Sequence, residues 1–202
     1  KKTARISSLE NTPSNLSWSN NGEHIAFTMK VKSDPPVLAD IPKKPKNANW
    51  AGTPRITDRV YHEKDGVGYI EPGFTHVFVI SSEGSGETKL THGDFNHYGN
   101  LSWSKDNSKI YFTTKRKRNW EYDFRNSELY SINIDGNNIN QLTNRNGPDH
   151  GPIVSPNGKL IAYLGYDDKI QTYQTTNLYI MDFDGENRRE IKTNRSEEHT
   201  SE

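Results

Sequence analysis

Carboxylates set among aromatic rings are the chain's best candidates for chemistry. They occur twice, as Trp120-Glu121-Tyr122-Asp123 and as Tyr166-Asp167-Asp168. Such a grouping can hold a cation, for example a free amine, through charge-assisted hydrogen bonds and cation–π contact. The same carboxylates could instead pair with Arg116, Arg118 and Arg125 and fix a loop. His92, Asp94 and His97 form the one compact cluster of ligand-type side chains, and its place between repeats suits hydrogen bonding better than metal binding. No metal site and no cofactor is expected. Gly84-Ser85-Gly86 lacks the spacing of a G-x-S-x-G nucleophile elbow. Neither a G-x-x-x-x-G-K phosphate loop nor an H-E-x-x-H zinc motif is present. The sequence therefore assigns no catalytic residue.

The elements that must position these residues are repeats. Asn15-Leu16-Ser17-Trp18-Ser19-Asn20-Asn21-Gly22 precedes His24-Ile25-Ala26-Phe27-Thr28. Asn100-Leu101-Ser102-Trp103-Ser104-Lys105-Asp106-Asn107 precedes Lys109-Ile110-Tyr111-Phe112-Thr113. Pro152-Ile153-Val154-Ser155-Pro156-Asn157-Gly158 precedes Leu160-Ile161-Ala162-Tyr163-Leu164. Each copy reads as apolar strand, polar turn, apolar strand. Asn107 stands where the other copies have a turn glycine, and Val154 where they have tryptophan. Trp18 and Trp103 lie on the innermost strands and are expected in the core.

A second hairpin follows each copy. Thr75–Ile80 leads through Gly84 and Gly86 to Leu90-Thr91, Glu128–Ile134 through Asp135-Gly136 to Leu142-Thr143, and Asn177–Phe183 through Asp184-Gly185 to Ile191. The Asp-Gly pairs suit a type I′ turn, which needs positive φ at both central positions. Leu129 and Leu178 stand 49 residues apart, a plausible blade length. Two hairpins per unit make a four-stranded blade, so the fold expected is all-β, a partial β-propeller.

The blades should span 9–91 (with a long insertion, 31–74), 92–143 and 144–194. Residues 1–8, through Ala4-Arg5-Ile6-Ser7, should supply the last strand of a preceding blade. About three blades and one strand fall short of the roughly 4–8 of a closed propeller. The chain opens on Lys1-Lys2 rather than methionine, and residues 195–202 match one reading frame of a common sequencing adapter. A non-native tail on a piece of a longer protein is the expectation.

The connections between second and third strands are long (31–74, 114–126 and 165–175), whereas the other in-blade turns are short. All variable material should then decorate one face, where binding residues usually sit. Six of the ten prolines fall in the first connection, which argues for an irregular excursion rather than sheet. Basic and acidic residues balance at 26 each, giving no pull toward nucleic acid or an anionic membrane. No apolar run approaches the roughly 20 residues that span a bilayer. There is no cysteine, hence neither disulfide nor thiolate metal site. Compartment is not assigned.

Four segments carry a resemblance. They are Asp65-Gly66-Val67-Gly68-Tyr69-Ile70-Glu71-Pro72-Gly73-Phe74-Thr75-His76; Asn119-Trp120-Glu121-Tyr122-Asp123; Gly147-Pro148-Asp149-His150; and Leu164-Gly165-Tyr166-Asp167-Asp168 with Gln171, Tyr173 and Gln174. With these loops the chain resembles the propeller domain of the prolyl oligopeptidase family of serine peptidases, in its acylaminoacyl-peptidase and dipeptidyl-aminopeptidase-like branch. The resemblance implies a parent enzyme with an α/β-hydrolase domain that follows the propeller and carries the Ser, Asp, His triad, outside this sequence. It implies a propeller that limits access to short peptide substrates. Trp120, Glu121, Tyr122, Tyr166, Asp167, Asp168, Gln171 and Tyr173 are then candidates for a substrate gate or interdomain face. The alternative is a non-catalytic TolB-like propeller that binds a protein partner.

Overall fold

A computed structural model describes residues 3–34, 36–40, 42–52, 54–84 and 86–192. The first sheet is built from β1 (Ser14–Trp18) and β2 (His24–Lys32). After a small hairpin of β3 (Glu63–Lys64) and β4 (Gly68–Tyr69), it is completed by β5 (Gly73–Ser81) and β6 (Glu87–Lys89). The second comprises β7 (His97–Trp103), β8 (Lys109–Thr114), β9 (Glu128–Asn133) and β10 (Asn140–Gln141). The third comprises β11 (Asp149–Val154), β12 (Leu160–Gly165), β13 (Asn177–Asp182) and β14 (Arg189–Glu190). Within each sheet the strands lie in sequence order and every pairing is antiparallel. These are three propeller blades.

The repeat has a local physical cause. In each first hairpin a serine hydroxyl donates to the Asn or Asp two residues on and accepts the N–H five residues on. The trios are Ser19 with Asn21 and His24, Ser104 with Asp106 and Lys109, and Ser155 with Asn157 and Leu160. Positive φ follows at Gly22 (74°), Asn107 (61°) and Gly158 (76°), a backbone that Gly and Asn tolerate best. Asn107 also has a task glycine could not perform: its Oδ1 accepts from the Asn20 backbone N–H at 2.7 Å, tying blade 2 to blade 1.

The second hairpins differ from the type I′ expectation. The Gly136 N–H donates to Asn133 O, while the Asn133 N–H donates to Asn137 O; Gly185, Asp182 and Glu186 repeat the pattern. The loop therefore has three residues, and only its glycine takes positive φ (82° at Gly136, 96° at Gly185). This is a type I turn closed by a glycine bulge, a second solution open to Asp-Gly.

The blades stack face to face. Ala26, Val77, Val79 and Leu90 of blade 1 meet Trp103, Ile110, Phe112 and Ile132 of blade 2. Tyr111, Leu129 and Leu142 of blade 2 meet Ile161, Tyr163 and Met181 of blade 3. Residues 3–9 form no ladder, unlike the strand expected there. Ile6 nevertheless sits where Leu90 and Leu142 sit in the later blades. Its carbonyl lies 2.7 Å from where a Cβ on Gly84 would be, and the carbonyls of Leu90 and Leu142 are the nearest atoms to such a Cβ on Gly136 and Gly185, at 3.5 and 3.1 Å. The suspected adapter tail, 195–202, lies outside the described residues.

One core assignment is corrected. Trp103 is 5% exposed and donates its indole N–H to Ser17 O at 3.0 Å, whereas Trp18, in the same register, is 60% exposed. Burial at this position comes from the neighbouring sheet. Blade 1's corresponding face packs Leu9 and Val31 instead. Trp103→Ala should cost about 3–5 kcal/mol in chemical unfolding. Trp18→Ala should stay within about 0.5 kcal/mol of the parent, and equal losses would refute the junction account.

Candidate functional site

The long connections are residues 33–72, 115–127 and 166–176, each joining the second strand of a blade to the third. Shared topology places them on one face, and side chains knit them together there. The Val60 N–H of the first loop donates to Glu121 Oε2 of the second at 3.2 Å. Phe74 meets Trp120 edge-on at 6.4 Å, and the Arg59 guanidinium lies 4.0 Å over the Phe74 ring. Thr75 N–H donates to Asn96 Oδ1, fixing the start of β5 against blade 2. Between the first two loops lies a cleft of about 190 Å³ lined by Lys30, Arg59, Tyr69, Thr75, Asn96 and Trp120.

The second loop is a set of tight turns, with Trp120 N–H donating to Lys117 O and Tyr122 N–H to Asn119 O. Trp120 and Glu121 are half-buried, and Tyr122 is exposed. Asp123 faces Lys117 at 3.9 Å and accepts from Asn126 at 2.9 Å.

The third loop is clamped at its start. Tyr166 N–H donates to Pro148 O and Asp168 N–H to Asn146 O. Gly147, at φ 144°, admits this approach, since a Cβ there would fall 2.0 Å from Tyr166 O. Asp168 Oδ1 accepts from Gln174 and from the Ile170 N–H, both at 2.8 Å, with Arg125 at 3.8 Å. The Gln174 hydrogen bond, with the other two, holds this carboxyl below its ordinary range. Asp167 is exposed and faces Arg145 at 3.7 Å. Gln171 and Tyr173 stand exposed on the same loop.

Of the three arginines named as alternative partners, Arg125 alone meets a candidate carboxylate. Arg116 turns inward, donating to His92 O and His97 Nε2 and lying 4.7 Å over Phe95. The cation that matters most, Arg145, carries no signal in the sequence. It pairs with Asp149 at 3.2 Å as well as with Asp167, and lies 3.9 Å over Tyr179.

Beneath the face, each blade junction holds a buried titratable pair beside a threonine. At the first, Thr91 Oγ1 accepts the Val77 N–H and contacts His76 Nδ1 at 3.2 Å. His97 Nδ1 lies 2.9 Å from Thr75 O, so Nδ1 carries the proton and Nε2 accepts from Arg116. Burial pushes His76 down to about 4 and His97 to about 3, leaving both rings neutral at pH 7. At the second junction, Thr143 Oγ1 accepts the Leu129 N–H and donates to Glu128 Oε2 at 2.7 Å. Burial raises Glu128 to about 7 and Asp149 to about 6.

The trio His92, Asp94, His97 is not drawn together by the fold. His97 is fully buried with both ring nitrogens engaged, while His92 and Asp94 are exposed. Among the described residues no group of three potential ligands could hold a metal ion.

Residues 47–171 match the family described as the dipeptidyl peptidase IV (DPP IV) N-terminal region. A curated relative, Atu1656 of Agrobacterium fabrum, is 27% identical over 114 residues, which are 55% of this chain and 36% of that protein. Acylaminoacyl peptidase of Pyrococcus horikoshii superposes with a TM-score of 0.59 at 15% identity, covering 92% of this chain and 26% of the peptidase. TolB of Acinetobacter baumannii gives 0.55 at 13% identity, covering 92% and 33%. The chain thus spans about a third or less of the length of these relatives. At such identities the likeness to the solved structures is one of fold.

Since His97 titrates below its unfolded value, its stabilising share is complete above about pH 6.5 and is lost as pH falls toward 3. The stability advantage of the parent over His97→Gln should therefore shrink between pH 6.5 and 4. A constant difference across denaturant titrations in that range would exclude a buried neutral imidazole.

Proposed function

The chain belongs to the family of the dipeptidyl peptidase IV N-terminal region, and from that premise we propose that it is the non-catalytic propeller of a serine peptidase acting on short peptides. In this reading the face built from 33–72, 115–127 and 166–176 gates access to a hydrolase domain elsewhere in the parent protein. The observation that carries it is the cross-loop bonding: Val60 to Glu121, Phe74 to Trp120 and Arg125 to Asp168 make three separate excursions into one continuous surface. A surface pre-organised in this way can screen substrates without ordering itself on each encounter. Within it, Asp167 and Glu121 are the carboxylates available to a peptide's free amine, and Tyr122 and Tyr173 are exposed rings beside them.

The likeness in fold to acylaminoacyl peptidase supports the peptidase reading, and the serine mechanism rests on the family resemblance of the loop motifs. Peptide substrate would be the partner, with neither nucleic acid nor membrane engaged by this face.

The full-length protein should hydrolyse short peptides and lose activity to a serine-directed covalent inhibitor. Asp167→Asn and Glu121→Gln should each lower kcat/KM by about tenfold on peptides with a free amino terminus and much less on acetylated ones, the scale of one charged hydrogen bond. A full-length sequence without a G-x-S-x-G hydrolase domain would sink the peptidase reading and favour a protein-binding propeller. Unchanged kcat/KM in both variants would remove these carboxylates from the substrate path.

A further inference from the structure

Glu128 and Asp149 are buried together at the junction of blades 2 and 3, near enough for the Asp149 charge to act on Glu128, with too few protons for both. Both are buried, at 2% and 1% exposed. The Asp149 backbone N–H donates to Ser127 O at 2.7 Å, which sets the two carboxyl-bearing residues side by side. Thr143 has one hydroxyl proton, and it goes to Glu128 Oε2. Glu128 Oε1 and Asp149 Oδ1 are left buried without a hydrogen-bond donor, although Asp149 Oδ1 has the Arg145 guanidinium at 3.2 Å in an ion pair. Two buried carboxylates against one guanidinium would leave a net negative charge in the core, which is strongly unfavourable. A single proton kept on Glu128 would spare one of the two buried charges and leave the other for Arg145 to balance.

We propose that Glu128 and Asp149 share a single proton, and that this pair acts as a pH-sensitive clamp on the loop carrying Tyr166, Asp167 and Asp168. Arg145 is the mechanical link, because its Nε lies between Asp149 at 3.2 Å and Asp167 at 3.7 Å. While the pair holds its proton, Arg145 neutralises Asp149 and still holds Asp167. When the proton leaves to solvent, two buried carboxylates draw Arg145 inward and the exposed Asp167 loses its partner. The other charged or titratable groups acting on the pair are Lys117 on Glu128 and Arg188 on Asp149, which oppose the effect, with Tyr163 beside Asp149 and Arg145. The Tyr163 hydroxyl is itself buried and unpaired, and Arg188 is partly committed to Asn144 Oδ1 at 3.0 Å.

The titration runs in one direction. Glu128 binds its proton more tightly folded than unfolded, so the stabilisation is complete below about pH 4.5 and is lost as pH rises through about 7. The clamp closes in mild acid and opens in mild base. It works whatever the face binds, and so does not depend on the peptidase reading.

Carboxyl ¹³C NMR of the full-length protein labelled at glutamate should show one resonance titrating near neutrality and missing from Glu128→Gln. Hydrogen exchange at Asp167 and Asp168, normalised to intrinsic rates, should accelerate by about tenfold between pH 5.5 and 8 in the parent and stay level in Glu128→Gln. A Glu128 resonance titrating near its ordinary 4.5 would overturn the shared proton. Loop exchange that rises equally in both proteins would overturn the clamp. If Glu128→Gln fails to fold, the parent's carboxyl titration still decides the shared proton, and exchange in Arg145→Gln, with the loop open at every pH, decides the clamp.

Discussion

A four-stranded sheet with two apolar faces cannot be buried by its own turns; it must be covered by another sheet. That requirement governs this chain more than any single bond. Leu90 and Leu142, at the ends of their blades, close over Gly136 and Gly185 of the next, where a Cβ would stand 3.5 and 3.1 Å from the leucine carbonyls. The innermost strands are sewn across the same gaps, by Trp103 to Ser17 O and by the Val154 N–H to Ser102 Oγ. Once the sheets are stacked, the short turns and the junction residues have little freedom. Only the connections between second and third strands can vary, and they project together from one face. The separation of scaffold from site follows from the stacking itself.

What the sequence discloses tracks how local the cause is. The Ser-x-Asn and Ser-x-Asp repeats are legible because their whole hydrogen-bond network lies within six residues, as from Ser104 through Asp106 to Lys109. Three long excursions are legible from strand spacing alone. Trp18 and Trp103 share a sequence context and differ in burial, because the difference lies in the adjoining sheet rather than in the strand. The Asp-Gly turns were read one residue too short, since that dipeptide serves two hairpin geometries.

The candidate face was legible in composition and opaque in wiring. Glu121 meets Val60 across 61 residues, and nothing local to Trp120-Glu121 announces it. Arg145 and Glu128 were missed for a related reason: a charged residue at a strand end reads as solvated. The available signal was the alignment of blades. Glu128 occupies the register position of His76, Asp149 that of His97, and Thr143 that of Thr91, so a titratable pair recurs at each junction next to the same Leu-Thr strand end.

That recurrence has an energetic consequence because the two pairs differ in sign. Burial disfavours the charged form in both, which depresses the histidines to about 4 and 3 and raises the carboxyls to about 7 and 6. Below pH 6.5 the unfolded chain takes up protons that the folded histidines refuse, so acid weakens the junction of blades 1 and 2. Above about pH 4 the unfolded chain releases protons that the folded carboxyls keep, so base weakens the junction of blades 2 and 3. Over the shared interval the two effects oppose, and overall stability changes less than either junction does. The load moves instead from one side of the face to the other. The junction that acid weakens lies beneath the insertion and the Trp120 contact, and the one that base weakens lies beneath the Tyr166–Asp168 loop. A propeller with identical pairs at both junctions would weaken everywhere at once, whereas this one keeps one flank of its face anchored at either end of the range.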